Sequence, residues 1–172
     1  MVAQNVIKVP EIPGYKLENM IAQGGMGAVF FGRRDSDFLP VAIKLARVSK
    51  EQFDAYATRL RRELAVSKSF AHPYVIKILD SGYCSSGEMY IVMEFVAGES
   101  LFESDGETSV EFAQRVFAHM AEALSYIHSL NIIHRDIKPS NIVVESTERT
   151  VLLDFGLVKV PDLTALTEHG GV

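Results

Sequence analysis

The sequence contains little that would tie it to a disulfide framework, a membrane or a nucleic acid. It has a single cysteine, Cys84, which excludes an internal disulfide and leads us to expect a reducing, cytoplasmic compartment. No apolar run reaches the roughly 20 residues that a membrane span requires, and the N-terminus lacks the features of a secretion signal. The net charge of -5 provides no basic field, so we expect no nucleic-acid partner. The histidines outside the motif described below lack the compact spacing of metal ligands.

What is present is the composition of an ordinary globular protein. Apolar residues make up 48% and charged residues 23% of the 172, enough for one sizeable core or two small lobes. Residues 1–13 show no periodicity and are predicted to form an arm. The composition changes at residues 96–99, where Ala97-Gly98 is interpreted as a hinge. We therefore expect one unit over 14–96 and a second over 97–172.

The first unit has the pattern of a five-stranded antiparallel sheet with one helix, an α+β arrangement. Alternating or β-branched segments predict the strands, at 15–21, 29–34, 41–46, 75–80 and 88–93. Between the third and fourth strands, residues 49–69 have helical spacing of apolar residues and contain no glycine or proline.

The second unit begins with the longest helical pattern of the chain, from Ser109 to Leu130. Its apolar stripe is predicted to face the core and consists of Phe112, Val116, Phe117, Met120, Leu124 and Ile127. Asn131 is predicted to cap its C-terminus. Two short strand pairs should follow, and then a loop over 159–172.

A glycine-rich turn joins the first two predicted strands, with the pattern Ala22-x-Gly24-x-x-Gly27-x-Val29. Such a turn can lay backbone N–H groups over phosphates, but glycine hairpin turns are also common without any ligand. Lys44 on the third strand and Glu63 on the helix stand where an ion pair between the two elements would need them. Each of these signals alone is also typical of a solvated surface.

A much more specific signal runs from His134 to Gly156. His134-Arg135-Asp136 is followed by Lys138 and Asn141, and then, after a short apolar strand, by Asp154-Phe155-Gly156. At about one in twenty per residue type, the first five identities arise by chance roughly once in three million positions. Two carboxylates, a lysine and an amide suit a site that holds a metal-bound phosphate opposite a hydroxyl.

The order of these motifs resembles the protein kinase family, and most closely its bacterial, eukaryotic-like serine/threonine members. The resemblance extends from Tyr15 to Val172, and the lysine two residues after Asp136 favours this class over tyrosine kinases. It implies a bilobal, protein-kinase-like α+β fold. Residues 14–96 would form the nucleotide-binding N-lobe and 97–172 part of the C-lobe.

The resemblance also implies the roles of individual residues, with ATP and Mg²⁺ as cofactors and a protein serine or threonine as acceptor. Asp136 would take the proton of the acceptor hydroxyl, and Lys138 would neutralise charge on the transferring phosphoryl group. Asn141 and Asp154 would hold magnesium. The positions that would contact ATP are Ala22, Gly24, Gly25, Gly27, Val29, Ala42, Lys44, Glu63, Met93, Glu94, Val96 and Val143.

Three further positions have structural roles by the same resemblance. His134 and Phe155 would stack with Ile78 in the core that aligns the two lobes.

Thr164 and Thr167 follow Asp154-Phe155-Gly156, and they are either activation-loop phosphorylation sites or solvated loop residues.

The chain departs from the family pattern in three places. Ala22 replaces the first glycine of the nucleotide loop, and Ser67 stands where an apolar residue is usual. The Ala-Pro-Glu motif expected after the activation loop is absent, so the domain is interpreted as truncated there. Such a truncation would expose part of the helix from Ser109 to Leu130.

Three functions are therefore considered. The first is an ATP- and Mg²⁺-dependent protein serine/threonine kinase. The second is an inactive kinase fragment that serves as a nucleotide-binding or interaction module. The third is a small-molecule phosphotransferase of kinase-like fold, which Arg135 and Lys138 fit less well.

Overall fold

The structure, a computed structural model, describes residues 10–24, 27–46, 70–103 and 109–153. Within these ranges the chain forms two antiparallel sheets and one α-helix. The predicted helix over 49–69 lies outside the described residues. So do the site positions Gly25, Glu63 and Asp154, together with Ser67, Phe155, Thr164 and Thr167.

The larger sheet contains five strands, all paired antiparallel, as the sequence predicts. The strands are β1 (Tyr15–Gly24), β2 (Gly27–Arg34), β3 (Pro40–Ala46), β4 (Ile78–Tyr83) and β5 (Met89–Glu94). Their order in the sheet is β1-β2-β3-β5-β4. Two strands depart from the predicted bounds by three residues, since β1 ends at Gly24 and not at residue 21, and β4 begins at Ile78 and not at Val75. Val75 forms an isolated parallel bridge with Leu152 instead, because the second core takes up its side chain.

The two faces of this sheet differ because side chains alternate along each strand. Phe30 of β2 pairs with Ile43 of β3, which pairs with Val92 of β5, so all three lie on one face. That face is buried in a core of Ile12, Phe30, Val41, Ile43, Leu45, Cys84, Tyr90 and Val92. Each such side chain contributes about 1.5–3 kcal/mol on full burial. Because Ile12 is among them, the end of the predicted arm belongs to this core.

The smaller sheet is formed by three antiparallel strands, β6 (Gly98–Ser100), β7 (Ile142–Glu145) and β8 (Thr150–Leu152). Gly98, which was interpreted as part of a hinge, is instead the first residue of β6 and pairs with Glu145. Glycine is required there for packing, since a Cβ would collide with the backbone carbonyl of Val144.

Helix α1 (Val110–Ser129) follows the predicted bounds closely. The Ser109 hydroxyl accepts a hydrogen bond of 3.1 Å from the Phe112 N–H and so caps the N-terminus. Asn131 has a left-handed φ of 58° and donates its N–H to the His128 carbonyl, which confirms its role in ending the helix. Within the described residues, no helix has the length and apolar character needed to cross a membrane.

One member of the predicted apolar stripe was placed on the wrong face. Val116, Met120, Ala123 and Ile127 are buried, whereas Phe117 is 75% exposed. An α-helix turns by about 100° per residue, so Phe117 points about 100° away from the buried Val116 that precedes it.

The second core joins helix α1 and the smaller sheet to the segment that leads into β4. Its buried members are Phe70, Val75, Ile76, Val116, Met120, Ala123, Ile127, Ile142, Val151 and Leu152. Backbone bonds reinforce the contact, because Ile76 donates to the Leu152 carbonyl and Leu152 donates to the Tyr74 carbonyl. The two sheets are therefore held together at β8, beside the motif that begins at His134.

Candidate active site

His134 anchors the loop between α1 and β7. Its side chain is 1% exposed, and its Nε2 atom lies 2.7 Å from the carbonyl oxygen of Leu153. The N–H of Asp136 donates to Nδ1 over 3.3 Å, so Nδ1 is an acceptor and Nε2 carries the hydrogen. The imidazole thus fixes the loop to the end of β8, next to the position of Asp154.

Three predicted site residues converge in this loop. The Nζ atom of Lys138 lies 3.1 Å from Oδ2 of Asp136, and the Asn141 amide donates to the same oxygen over 3.1 Å. Arg135, between His134 and Asp136, has a left-handed φ of 64°, which turns the chain sharply there. The side chain of Asp136 is 13% exposed, compared with 47% for Lys138. The structure therefore brings a sheltered carboxylate and a more accessible ammonium group together.

Asn141 is held in one orientation from both sides. Its Nδ2 also donates to the main-chain oxygen of Asp136 over 2.7 Å. The main-chain carbonyl of Asn141 accepts from the Leu153 N–H over 2.8 Å. Asn141 is 7% exposed and lies in the 3₁₀ turn Pro139–Asn141. Since Nδ2 is committed to Asp136, Oδ1 is the amide atom that could ligate a cation. An amide oxygen is a hard donor of the kind that Mg²⁺ prefers.

The strand register places four predicted nucleotide-contacting residues on one face of the larger sheet. Val29 pairs with Lys44, and Ala42 pairs with Met93. Residues 42 and 44 alternate with the buried Ile43, so the four side chains lie opposite the first core. Met93 is partly buried against the second core, which contains residues of β7 and β8. The face that carries these four side chains therefore borders those two strands. Lys44 is 8% exposed and is therefore a buried lysine on this face of the sheet.

The same register shows that the sequence interpretation missed two residues of this face. Phe31 pairs with Ala42, and Ile91 pairs with Lys44. The Phe31 ring meets Phe95 edge to face, with centroids 4.7 Å apart. The alternation within β2 and β5 could have identified both residues, had it been combined with the pairing of the strands.

The glycine-rich turn lies where β1 and β2 meet. Gly24 pairs with Gly27, and Ala22 pairs with Val29, although the register shifts between Met20 and Ala22. Gly27 has a φ of 138°, which side-chain-bearing residues rarely adopt. A Cβ at Gly24 would meet no atom within 4 Å among the described residues, so protein packing does not require glycine there.

Three further positions predicted to contact ATP lie at the end of β5, just after it and on β7. The N–H of Glu94 donates to the Lys77 carbonyl over 3.0 Å, so the carbonyl is the Glu94 backbone group that could meet a ligand. Val96 follows the strand and packs partly against the second core. Val143 on β7 is 9% exposed.

The sequence interpretation also missed Arg149, which follows the turn after β7. Its guanidinium forms two bonds with the Glu145 carboxylate, with Nε–Oε2 at 2.8 Å and Nη2–Oε1 at 3.1 Å. The bonded guanidinium lowers the pKa of Glu145, and the Glu145 bond raises the pKa of Arg149. The spacing Glu145-x-x-x-Arg149 flanks a turn, which was the available signal.

Comparison with known proteins identifies the family. A model of the protein kinase domain matches residues 15–169. Serine/threonine-protein kinase pkn3 of Myxococcus xanthus is 34% identical over 169 residues, which cover 92% of this chain and 31% of that protein. Serine/threonine-protein kinase PknB of Mycobacterium leprae is 32% identical over 165 residues, covering 92% of this chain and 26% of that protein.

A solved structure agrees with the sequence comparisons. The PknI kinase domain of M. tuberculosis superposes with a TM-score of 0.71 at 27% identity, covering 89% of this chain and 64% of that one. The chain thus spans about two thirds of that kinase domain and about a quarter to a third of the two curated relatives. With its kinase-like fold, its motifs in order and serine/threonine kinases of bacteria among its relatives, the chain belongs to the protein kinase domain family.

Proposed function

We propose that this site transfers a phosphoryl group from ATP to the hydroxyl of a protein serine or threonine, with Mg²⁺ as the metal. The observation that carries the proposal is that Lys138 Nζ and Asn141 Nδ2 each lie 3.1 Å from the same carboxylate oxygen of Asp136. We further propose that the protein acts in the cytoplasm, since its one cysteine is buried and unpaired.

Asp136 is the group that would orient the acceptor and take its proton. An ionised carboxylate can accept a hydrogen bond from a hydroxyl, and Asn141 and Lys138 hold this carboxylate in place through Oδ2. Lys138 is the more exposed partner and could move its ammonium toward a phosphoryl group while Asn141 still holds the carboxylate. Phosphoryl transfer requires little covalent chemistry from a protein, so positioning and charge stabilisation would carry the rate.

The residues that would hold nucleotide and metal are those that the register and the loop bring together. Lys44 would meet the phosphates from the sheet face, beneath the turn of Gly24 and Gly27. Oδ1 of Asn141 would ligate the metal together with Asp154. When bound, Mg²⁺ would supply positive charge to the phosphate oxygens.

Two measurements on the purified chain test the proposal. Saturating ATP and Mg²⁺ at about a hundred times the dissociation constant should stabilise the fold by roughly 2.7 kcal/mol, seen as a rise in melting temperature. Labelled phosphate should then appear on a protein substrate with wild-type chain and vanish with Asp136→Asn. Asp35→Asn, which changes an exposed turn carboxylate in the same way, should leave transfer intact.

The outcomes separate the three functions considered. Transfer to protein that depends on Asp136 supports the kinase. Binding without transfer indicates an interaction module, and transfer confined to small molecules indicates a phosphotransferase. The absence of any nucleotide-induced stabilisation would contradict both transfer reactions and nucleotide binding by an inactive fragment, and would leave only an interaction module.

A further inference from the structure

Arg149 touches three separate parts of the chain. Besides its paired bonds to Glu145 at the end of β7, its Nη1 donates to the Pro73 carbonyl over 3.1 Å. Its Nη2 lies 3.8 Å from Oε2 of Glu94, the last residue of β5. The side chain is 30% exposed, so it lies at the surface of the molecule and is only partly accessible to solvent.

Glu94 is itself bound on its other side. Its Oε1 accepts from the Lys77 N–H over 3.1 Å, and its own N–H donates to the Lys77 carbonyl over 3.0 Å. The carboxylate therefore bridges the segment before β4 and the guanidinium of Arg149. Through these bonds the end of β5 is connected to the turn between β7 and β8, which belong to the other sheet.

The two elements joined in this way carry three of the positions that would contact ATP in the proposed function, with Glu94 and Val96 on one side and Val143 of β7 on the other. In that function we take the space between them to hold the adenine. We propose that Arg149 is a positioning residue that fixes the spacing between Glu94 and β7, so that the pocket is held ready before a nucleotide enters. The adenine part of this inference rests on the proposed function.

Arginine suits this position because its planar fork can engage a carboxylate with two parallel bonds while its third nitrogen bonds elsewhere. A partly exposed ion pair adds little to global stability. The main consequence of losing Arg149 should therefore be a shift in the position of Glu94, which lowers nucleotide affinity, and only a small loss of stability.

A neighbouring ion pair provides a matched control. Glu148, in the same turn, pairs with Arg115 of α1 over 3.0 Å and is 65% exposed. Glu148→Gln removes an ion pair one residue from Arg149 without touching β5. A merely structural role for Arg149 would make the two substitutions equivalent.

The first test measures the affinity of the full chain for a fluorescent ADP derivative. We expect Arg149→Gln to weaken binding about threefold to tenfold, as loss of one charge-assisted contact to Glu94 would. Arg149→Lys should fall between this variant and wild type, and Glu148→Gln should stay within about twofold. In Arg149→Gln/Glu94→Gln the effects should be less than multiplicative, because both remove the same contact. Equal weakening by Arg149→Gln and Glu148→Gln, or fully multiplicative effects, would overturn the proposal.

The second test needs no nucleotide. Hydrogen exchange of the free chain should show the Glu94 and Lys77 amides exchanging about threefold to tenfold faster in Arg149→Gln, and unchanged in Glu148→Gln. Unchanged protection in Arg149→Gln would overturn the inference whatever the nucleotide titration gives. If wild-type chain binds no nucleotide, the proposed function fails, and exchange alone decides whether Arg149 positions Glu94.

Discussion

The imidazole of His134 and the carbonyl of Leu153, nineteen residues apart in the chain, are joined by a hydrogen bond of 2.7 Å. Leu153 is also held through its N–H, which donates to the Asn141 carbonyl over 2.8 Å. Leu153, which directly precedes Asp154 in the sequence, is thus bound to the loop that carries Asp136. One buried ring therefore connects the loop of Asp136 to the residue that precedes Asp154 in the sequence.

Replacing His134 with alanine should destabilise the fold by roughly 2–4 kcal/mol, because it leaves a cavity and deprives the Leu153 carbonyl of its donor. Urea denaturation of the two proteins measures the difference. His128→Ala, which removes an exposed imidazole from the end of α1, should cost less than about 1 kcal/mol. A similar loss in both variants would show that His134 does not act through its buried bonds.

The same substitution should change the stability of the fold at one glycine and not at another. Gly98→Ala should destabilise the fold by about 1–3 kcal/mol, because its methyl group would collide with the Val144 carbonyl in the β6–β7 pair. Gly24→Ala meets no described atom and should change stability by less than about 0.5 kcal/mol. Gly24→Ala should nevertheless weaken ATP binding, since the turn would no longer approach the phosphates as closely.

Thermal unfolding with and without ATP separates these two effects. The expected result is a lowered melting temperature for Gly98→Ala without nucleotide. For Gly24→Ala the melting temperature without nucleotide should match wild type, and the ATP-induced rise should shrink. A Gly24→Ala protein that is itself unstable would contradict the assignment of this glycine to ligand binding.

The sequence predicted the strands of the larger sheet because period-two alternation is a local signal. The strand order was not predicted, because β3 pairs with β5 and not with the next strand along the chain. It also located Asp136, Lys138 and Asn141, because they lie within six residues of one another. Arg149 escaped notice because its partners Glu94 and Pro73 are distant in the chain, and no local pattern reports such a contact. Phe117 was misplaced because an apolar residue beside a helical stripe has the same local signature as one within it.

The β2–β3 turn should show an acid-dependent contribution to stability. Arg34 hydrogen-bonds the Asp37 carboxylate and lowers its pKa from 3.8 to about 2. Since the folded pKa is depressed, this pair stabilises the fold above pH 3.8 and loses its effect as the pH falls through about 2. An NMR titration of the Asp37 side chain gives the value directly. In Arg34→Gln the pKa should return toward 3.8, and an unchanged value would rule out the guanidinium as the cause.

His119 should make the fold less stable in mild acid. Its ring stacks on Tyr74 with centroids 3.9 Å apart, and among the described residues its buried Nδ1 has no hydrogen-bond partner. Burial lowers the pKa of His119 below its usual 6.5, and the nearby Arg115 lowers it further, while Glu122 opposes them. The unfolded chain therefore binds more protons here than the folded chain does.

The sign of the effect follows from that difference in proton binding. Stability should be full above pH 6.5 and should decline as the pH falls from 6.5 toward the folded pKa of His119. His119→Phe keeps an aromatic ring against Tyr74 but cannot be protonated, so its free energy of unfolding should decline less over this interval. Urea denaturation at half-unit steps between about pH 7.5 and 5 measures both slopes, above the range in which ordinary carboxylates titrate. Equal slopes in the two proteins would show that another group controls stability there.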